Sequence, residues 1–166
     1  MNSITVNPMQ SELFSRYGEF LDQAKGELKC DTEIVTHIHD LGRLSSLGDD
    51  PVIAYVRAYK RPYLVDKLEK HEGTSEIFFP KTGEAIMVFA DSLENGLPDL
   101  NTIAAFLIKP GNPFISKKGI WHWVPYPIDD DWESFLLVEK DLVENDIEIV
   151  NLDDVINIEI KKGVEK

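Results

Sequence analysis

Hydrophobic positions in this chain change their spacing early and hold the new spacing almost to the end. In "MQSELFSRYGEFL", Leu13, Phe14 and Tyr17 fall at helical spacing ahead of Gly18, which predicts a short N-terminal helix. Beyond residue 26 the period drops to two, or the runs become wholly apolar. "EIVTHIHDL" alternates, "PVIAYVRAYKRPYLVDKLEKH" is rich in Val, Ile and Tyr, and "SEIFFP", "EAIMVFA", "TIAAFLI" and "SFLLVEK" are short apolar runs. Turn clusters separate them at Leu47 to Pro51, His71 to Thr74, Lys81 to Glu84, Glu94 to Asp99, Pro110 to Pro113 and Pro127 to Asp131. Many short strands with almost no helix predict an all-β sandwich or barrel. Because "AIMVFA" and "SFLLVE" are apolar on both faces, a second layer must cover them, either a facing sheet or a partner subunit. A homodimer is therefore expected. The stretch from Asp153 to Lys166 reads as a charged tail with a frayed end.

Composition narrows the partners. A chain of 166 residues, 43% of them hydrophobic, can fill one core, and no linker divides it, so a single domain over 1–166 is expected. The 17 basic side chains against 30 acidic ones give a formal charge of −13, which opposes attraction to phosphate backbones and anionic lipid. Nucleic acid and membrane surfaces are thus set aside in favour of a small-molecule substrate. An anionic substrate would need a local cation in its pocket to overcome that field. Cys30 stands alone, which rules out an intrachain disulfide, and no segment reads as a secretory leader, so a cytoplasmic protein is expected.

The four histidines are the best carriers of chemistry. On an extended segment Glu69 and His71 point to one face, and the tight "EGTS" turn returns the chain so that Glu76 starts near where His71 ended. The spacing His71, four residues, Glu76, six residues, Gly83 resembles the second half of the first cupin motif. "KGIWH" resembles the Gly-x-x-His of the second, with Glu69 where the first motif usually has a histidine. Small barrels of that kind hold one divalent metal on imidazoles and a carboxylate, leaving positions open for substrate. Glu69, His71, Glu76 and His122 are therefore the candidate ligands, with Ni, Mn, Fe or Zn as the candidate ion. A hydrogen-bonded His71–Glu76 pair with no metal is the alternative. In "HIHD" the pair His37 and His39 shares a strand face. No carboxylate follows at the usual distance, so His39 or Asp40 is read as a pocket residue rather than a ligand.

Taken together, "ELFSRYGEFLD", "HDL", "EKHEGTSEIFFPKTGEAIMVFA", "PDLNTIAAFLIKPG", "GIWHW" and "SFLLVEK" resemble the ureidoglycolate lyase family over roughly residues 11 to 152. The resemblance implies a cupin-type (RmlC-like) jelly-roll β-barrel, usually dimeric. Its implied reaction is the cleavage of ureidoglycolate to glyoxylate and urea, in allantoin degradation and purine catabolism. It implies His71 and His122 as base and acid or as metal ligands, with Glu76 orienting one of them or completing a metal shell. Lys117 or Lys118 would pair with the substrate carboxylate, and Trp121 would form a pocket wall.

The chain also departs from the family pattern. Where "NYHRG" is common, it has Ile115, Ser116, Lys117, Lys118 and Gly119; Trp123 replaces a second histidine, Glu76 a glutamine, and Ala104 an arginine. Two other readings follow from those departures: a metal-dependent cupin isomerase or oxygenase acting on a sugar or keto acid, or a non-catalytic barrel that binds a small metabolite.

Overall fold

The computed structural model describes residues 2–34, 36–42, 51–129, 131–139 and 146–161. The expected turn at Leu47 to Pro51 falls almost wholly outside them, and the last tail residues, 162–166, entirely so. Strand β1 (Asn2–Pro8) leads into a one-turn helix α1 (Ser11–Phe14), β2 (Gly18–Phe20), a 3-10 turn at Gln23–Lys25, and the strands β3 (Glu27–Asp31) and β4 (Thr36–His39). Next come β5 (Pro51–Ala58), β6 (Leu64–His71), β7 (Glu76–Thr82), β8 (Ala85–Ala90), β9 (Ala104–Ile108) and β10 (Phe114–Ser116). The order ends with β11 (Trp121–His122), β12 (Tyr126–Pro127), β13 (Trp132–Glu139) and β14 (Ile147–Glu159). Among the described residues no helix is long and apolar enough to cross a membrane.

The strands form a mostly β, jelly-roll-type barrel. One sheet runs β11-β6-β14-β1-β9-β8-β12, and β11 also pairs with β8, which closes the sheet on itself. The facing sheet runs β2-β10-β7-β13-β5, and β3 with β4 makes a separate two-stranded sheet. Closure explains why "AIMVFA" is apolar throughout. Ile86, Val88 and Ala90 of β8 look into the closed sheet, where they pack with Val65, Leu68, Ala105 and Trp121. Ala85, Met87 and Phe89 look the other way, onto Phe78, Phe114 and Trp132 of the facing sheet. The second layer over β8 therefore comes from the chain itself.

Helix α1 has four residues and no side-chain bond at its N-cap, so it is far too short to stand alone. What holds it is Phe14, fully buried and edge-on to Phe89, Phe106 and Phe114 at 5.1, 5.4 and 5.5 Å. Burial of such a ring stabilises by about 1.5–3 kcal/mol. Tyr17, the other helix-spaced aromatic, donates its hydroxyl hydrogen to the Thr102 carbonyl. Leu13, the third, is exposed.

The tail expectation is corrected. Far from fraying at Asp153, β14 continues to Glu159, pairing in parallel with β1 and antiparallel with β6. Ile156 and Ile158 are buried, and the acidic pair Asp153 and Asp154 falls where the ladder with β6 breaks between Asn151 and Ile156. The charges sit in a bulge that leaves the apolar alternation on either side intact.

Candidate functional site

Three strand ends bring the chemistry together. His71 ends β6, Glu76 opens β7 and His122 ends β11. The turn between the first two is clamped: the Glu72 and Gly73 N–H groups donate to the Asp146 carboxylate, and the Gly119 N–H donates to the His71 carbonyl at 2.6 Å. Register decides which faces meet. His122 lies directly opposite Glu69 of β6 on one side and Phe89 of β8 on the other. Directly opposed residues share a face, so Glu69, His71, Phe89 and His122 all look toward the facing sheet.

The geometry is tight. Glu76 bridges the imidazoles, with Oε2 2.9 Å from His122 Nε2 and Oε1 3.4 Å from His71 Nε2. Glu69 Oε1 stands 3.9 Å from His122 Nε2. A carbonyl only accepts, so His122 Nδ1 carries a hydrogen and donates it to Ile120 O at 3.0 Å. All three of His71, Glu76 and His122 are buried, whereas the Glu69 side chain retains 17% of its exposure.

Electrostatics sort the protons. Burial by itself would push His122 down, but the charge and hydrogen bond of Glu76, helped by Glu69 and Ile120 O, raise it to about 9. Burial likewise opposes ionisation of Glu76, yet the charge and hydrogen bond of His122, with His71, outweigh it and move that carboxyl down. Glu69 goes up, driven first by burial, against the pull of His122 and with the push of Glu76. Near neutral pH His122 and Glu76 thus form an imidazolium–carboxylate pair. His71 Nδ1 is buried and has no hydrogen-bond partner.

The donor set suits a divalent ion. One ligand atom from each of His71, Glu76 and His122 lies within 4.8 Å of the others. The Nδ1 bond to Ile120 O turns His122 Nε2 toward the cluster, the orientation a metal-ligating histidine needs. Two imidazoles and a carboxylate are a set that could hold a divalent metal; the expected fourth ligand, Glu69, lies 3.9 Å from His122 Nε2 but is not part of that group.

The other expected site residues lie elsewhere. Trp121 is beside His122 in sequence and therefore on the opposite face. Its ring is fully buried in the closed sheet, its Nε1–H donates to Gly96 O, and Lys70 Nζ sits 4.9 Å from its centroid. Lys117 donates to Ser15 O and Arg16 O at 2.6 and 3.2 Å, satisfying carbonyls where α1 ends. Lys118 is exposed on the same turn. His39 is exposed on the separate two-stranded sheet, and the side chain of His37 lies outside the described residues. One residue on the inner face was not anticipated. Ser116 is buried, directly opposite Glu76 in the ladder, and its Oγ has no hydrogen-bond partner. The signal was present in "FIS", where alternation puts Ser116 on the face of the buried Phe114.

A family model described as ureidoglycolate lyase matches residues 1–159. A protein named ureidoglycolate lyase from Chelativorans sp. (strain BNC1) is 26% identical over 153 residues, covering 89% of this chain and 91% of that protein. Another of that name from Salmonella typhimurium is 27% identical over 123 residues, covering 72% and 76%. Among solved structures, RmlC from Streptococcus suis in complex with dTDP-D-xylose superposes with a TM-score of 0.54 at 12% identity, over 99% of this chain and 91% of that one. A dTDP sugar isomerase from Desulfovibrio desulfuricans G20 gives 0.51 at 14% identity, over 77% and 83%. These two likenesses establish the fold alone, an RmlC-like cupin.

Proposed function

Given that the chain belongs to the ureidoglycolate lyase family, we propose that it cleaves ureidoglycolate to glyoxylate and urea at the His71–Glu76–His122 cluster. The carrying observation is that one buried carboxylate touches two buried imidazoles, one of which, His122, has its pKa raised to about 9. With His71 Nε2 turned to Glu76 Oε1 at 3.4 Å, its buried, unpartnered Nδ1 serves as the base. That base takes the proton of the substrate hydroxyl. The oxygen's electron pair then forms the aldehyde carbonyl, the carbon–nitrogen bond breaks with its pair going to nitrogen, and His122 Nε2–H protonates that nitrogen as urea leaves. Glu76, in reach of both Nε2 atoms, gives the proton a route back.

A divalent ion held by His71, Glu76 and His122 would supply Lewis acidity toward the substrate's hydroxyl and carboxylate oxygens. The acid–base roles above describe the metal-free form, and elemental analysis of protein purified without chelator separates the two forms. The expected homodimer carries over into this reading: Ile53 and Tyr55 of β5 and Phe79 of β7 are exposed on the outer side of the facing sheet, where a second copy would cover them. Light scattering at working concentration tests that. A cytoplasmic location fits the lone, exposed Cys30.

The decisive assay is urea release from ureidoglycolate, with glyoxylate measured in the same reaction. Wild-type protein is expected to release both in equal amounts, and His71→Ala or His122→Ala to cut the rate by about 10²–10⁴-fold. Folded wild-type protein that releases no urea, with or without added divalent metal, rejects the reading.

A further inference from the structure

We infer that Ser116 is a specificity-determining contact whose hydroxyl binds the ureido group of the substrate, an assignment that rests on the lyase reading above. Ser116 retains 1% of its exposure, and its Oγ has no hydrogen-bond partner. The ladder puts it directly opposite Glu76. That this is the inner face follows from the neighbouring rung, two residues away, where Phe114 and Phe78 stack at 4.9 Å with 10° between their planes. On its other side the partner of Ser116 is Gly18, which has no side chain; the space where a Cβ would stand there is met by the Phe14 ring at 2.6 Å. In the ladder Ser116 thus stands between Gly18, which the Phe14 ring backs, and Glu76 of the cluster.

Both Glu76 oxygens are directed at the imidazoles. Ser116 is therefore left with a donor and an acceptor to offer to whatever enters. A buried hydroxyl left unpaired is costly, and one kept at a site is explained by a ligand that completes it. His122, which protonates the departing nitrogen, bonds to the carboxylate of Glu76, the residue opposite Ser116, so the ureido group is the part of the substrate assigned to Ser116. Its N–H and carbonyl match the two capacities of the hydroxyl.

The test compares wild type, Ser116→Ala and Ser116→Cys in urea release and in thermal melting without substrate. Both variants should lose about 10- to 100-fold in kcat/KM, mainly through KM, because each removes the hydroxyl whether or not the volume is kept. Neither should melt below wild type, since the group removed makes no bond within the protein. Wild-type turnover with unchanged variants, or a kcat/KM loss matched by a fall in melting temperature, overturns the assignment while leaving the lyase reading in place. No turnover by wild type overturns the lyase reading. Ser116 is then judged by calorimetry with ureidoglycolate: binding weakened at least tenfold in Ser116→Ala retains it as a ligand contact, and equal or absent binding removes it.

Discussion

One proton on His122 sets the behaviour of the site. Its pKa is raised from 6.5 to about 9, so the folded chain holds that proton more tightly than the unfolded chain does. The stabilisation is complete below pH 6.5 and is lost as pH rises through 9. Glu76 runs in the opposite sense: its lowered pKa contributes stability that is present above 4.5 and lost as pH falls. Urea unfolding of the metal-free protein should therefore show highest stability between those limits and a decline on the alkaline side. Glu76→Gln should flatten the alkaline decline, because it removes the main partner that holds the His122 proton; an unchanged slope would mean that the proton is held elsewhere. At this scale much of the cluster was legible. Motif spacing identified His71, Glu76 and His122 because metal-ligand and acid–base residues recur at strand ends with fixed gaps. Trp121 was misplaced because sequence adjacency to His122 was read as shared position, when neighbours on a strand face opposite ways, and Lys117 was named for its charge while the fold uses it on the carbonyls of Ser15 and Arg16. Ser116 escaped notice because a serine carries no pattern of its own.

The elements divide into those with a loud hydrophobic signal and those without. Strands β7, β8, β9 and β13 were foreseen in place, since each coincides with a short, dense apolar run. Strands β1 and β14 were not, because "NSITVNP" and "VINIEI" hide their alternation among polar residues, and only pairing with each other and with β6 and β9 makes them strands. Ile156, buried at the junction of β14 with both β1 and β6, should thus cost about 2–5 kcal/mol when changed to alanine. The neighbouring Val155→Ala, at an exposed position, should cost far less, and paired denaturant melts check both. Gly18 makes a sharper case. A Cβ there would stand 1.9 Å from Ile115 O, so Gly18→Ala must push β2 away from β10, with an expected loss of at least about 1–3 kcal/mol by the same measurement.

Over the whole molecule, charge and topology matter most. A formal charge of −13 surrounds a site proposed to take an anion, so added salt should raise kcat/KM for ureidoglycolate by screening the repulsion. A steady fall with salt in a stopped-flow or initial-rate series would mean that a local positive field dominates the approach. The all-β class was legible from the spacing of the runs. The strand order was not, because closing the sheet through the two residues of β11 is a long-range event that no local pattern encodes.

Seating β1 between β9 and β14 has a consequence for how the protein is made. Strand β1 gains one neighbour only after residue 108 has been synthesised and the other only after residue 159. Strand β1 must therefore wait unpaired while pairs such as β8–β9 and β7–β10 can already form, and folding dominated by such distant contacts runs in milliseconds to seconds rather than microseconds. Synthesis must outlast that exposure, so the nascent chain is the form of this protein most in need of a chaperone.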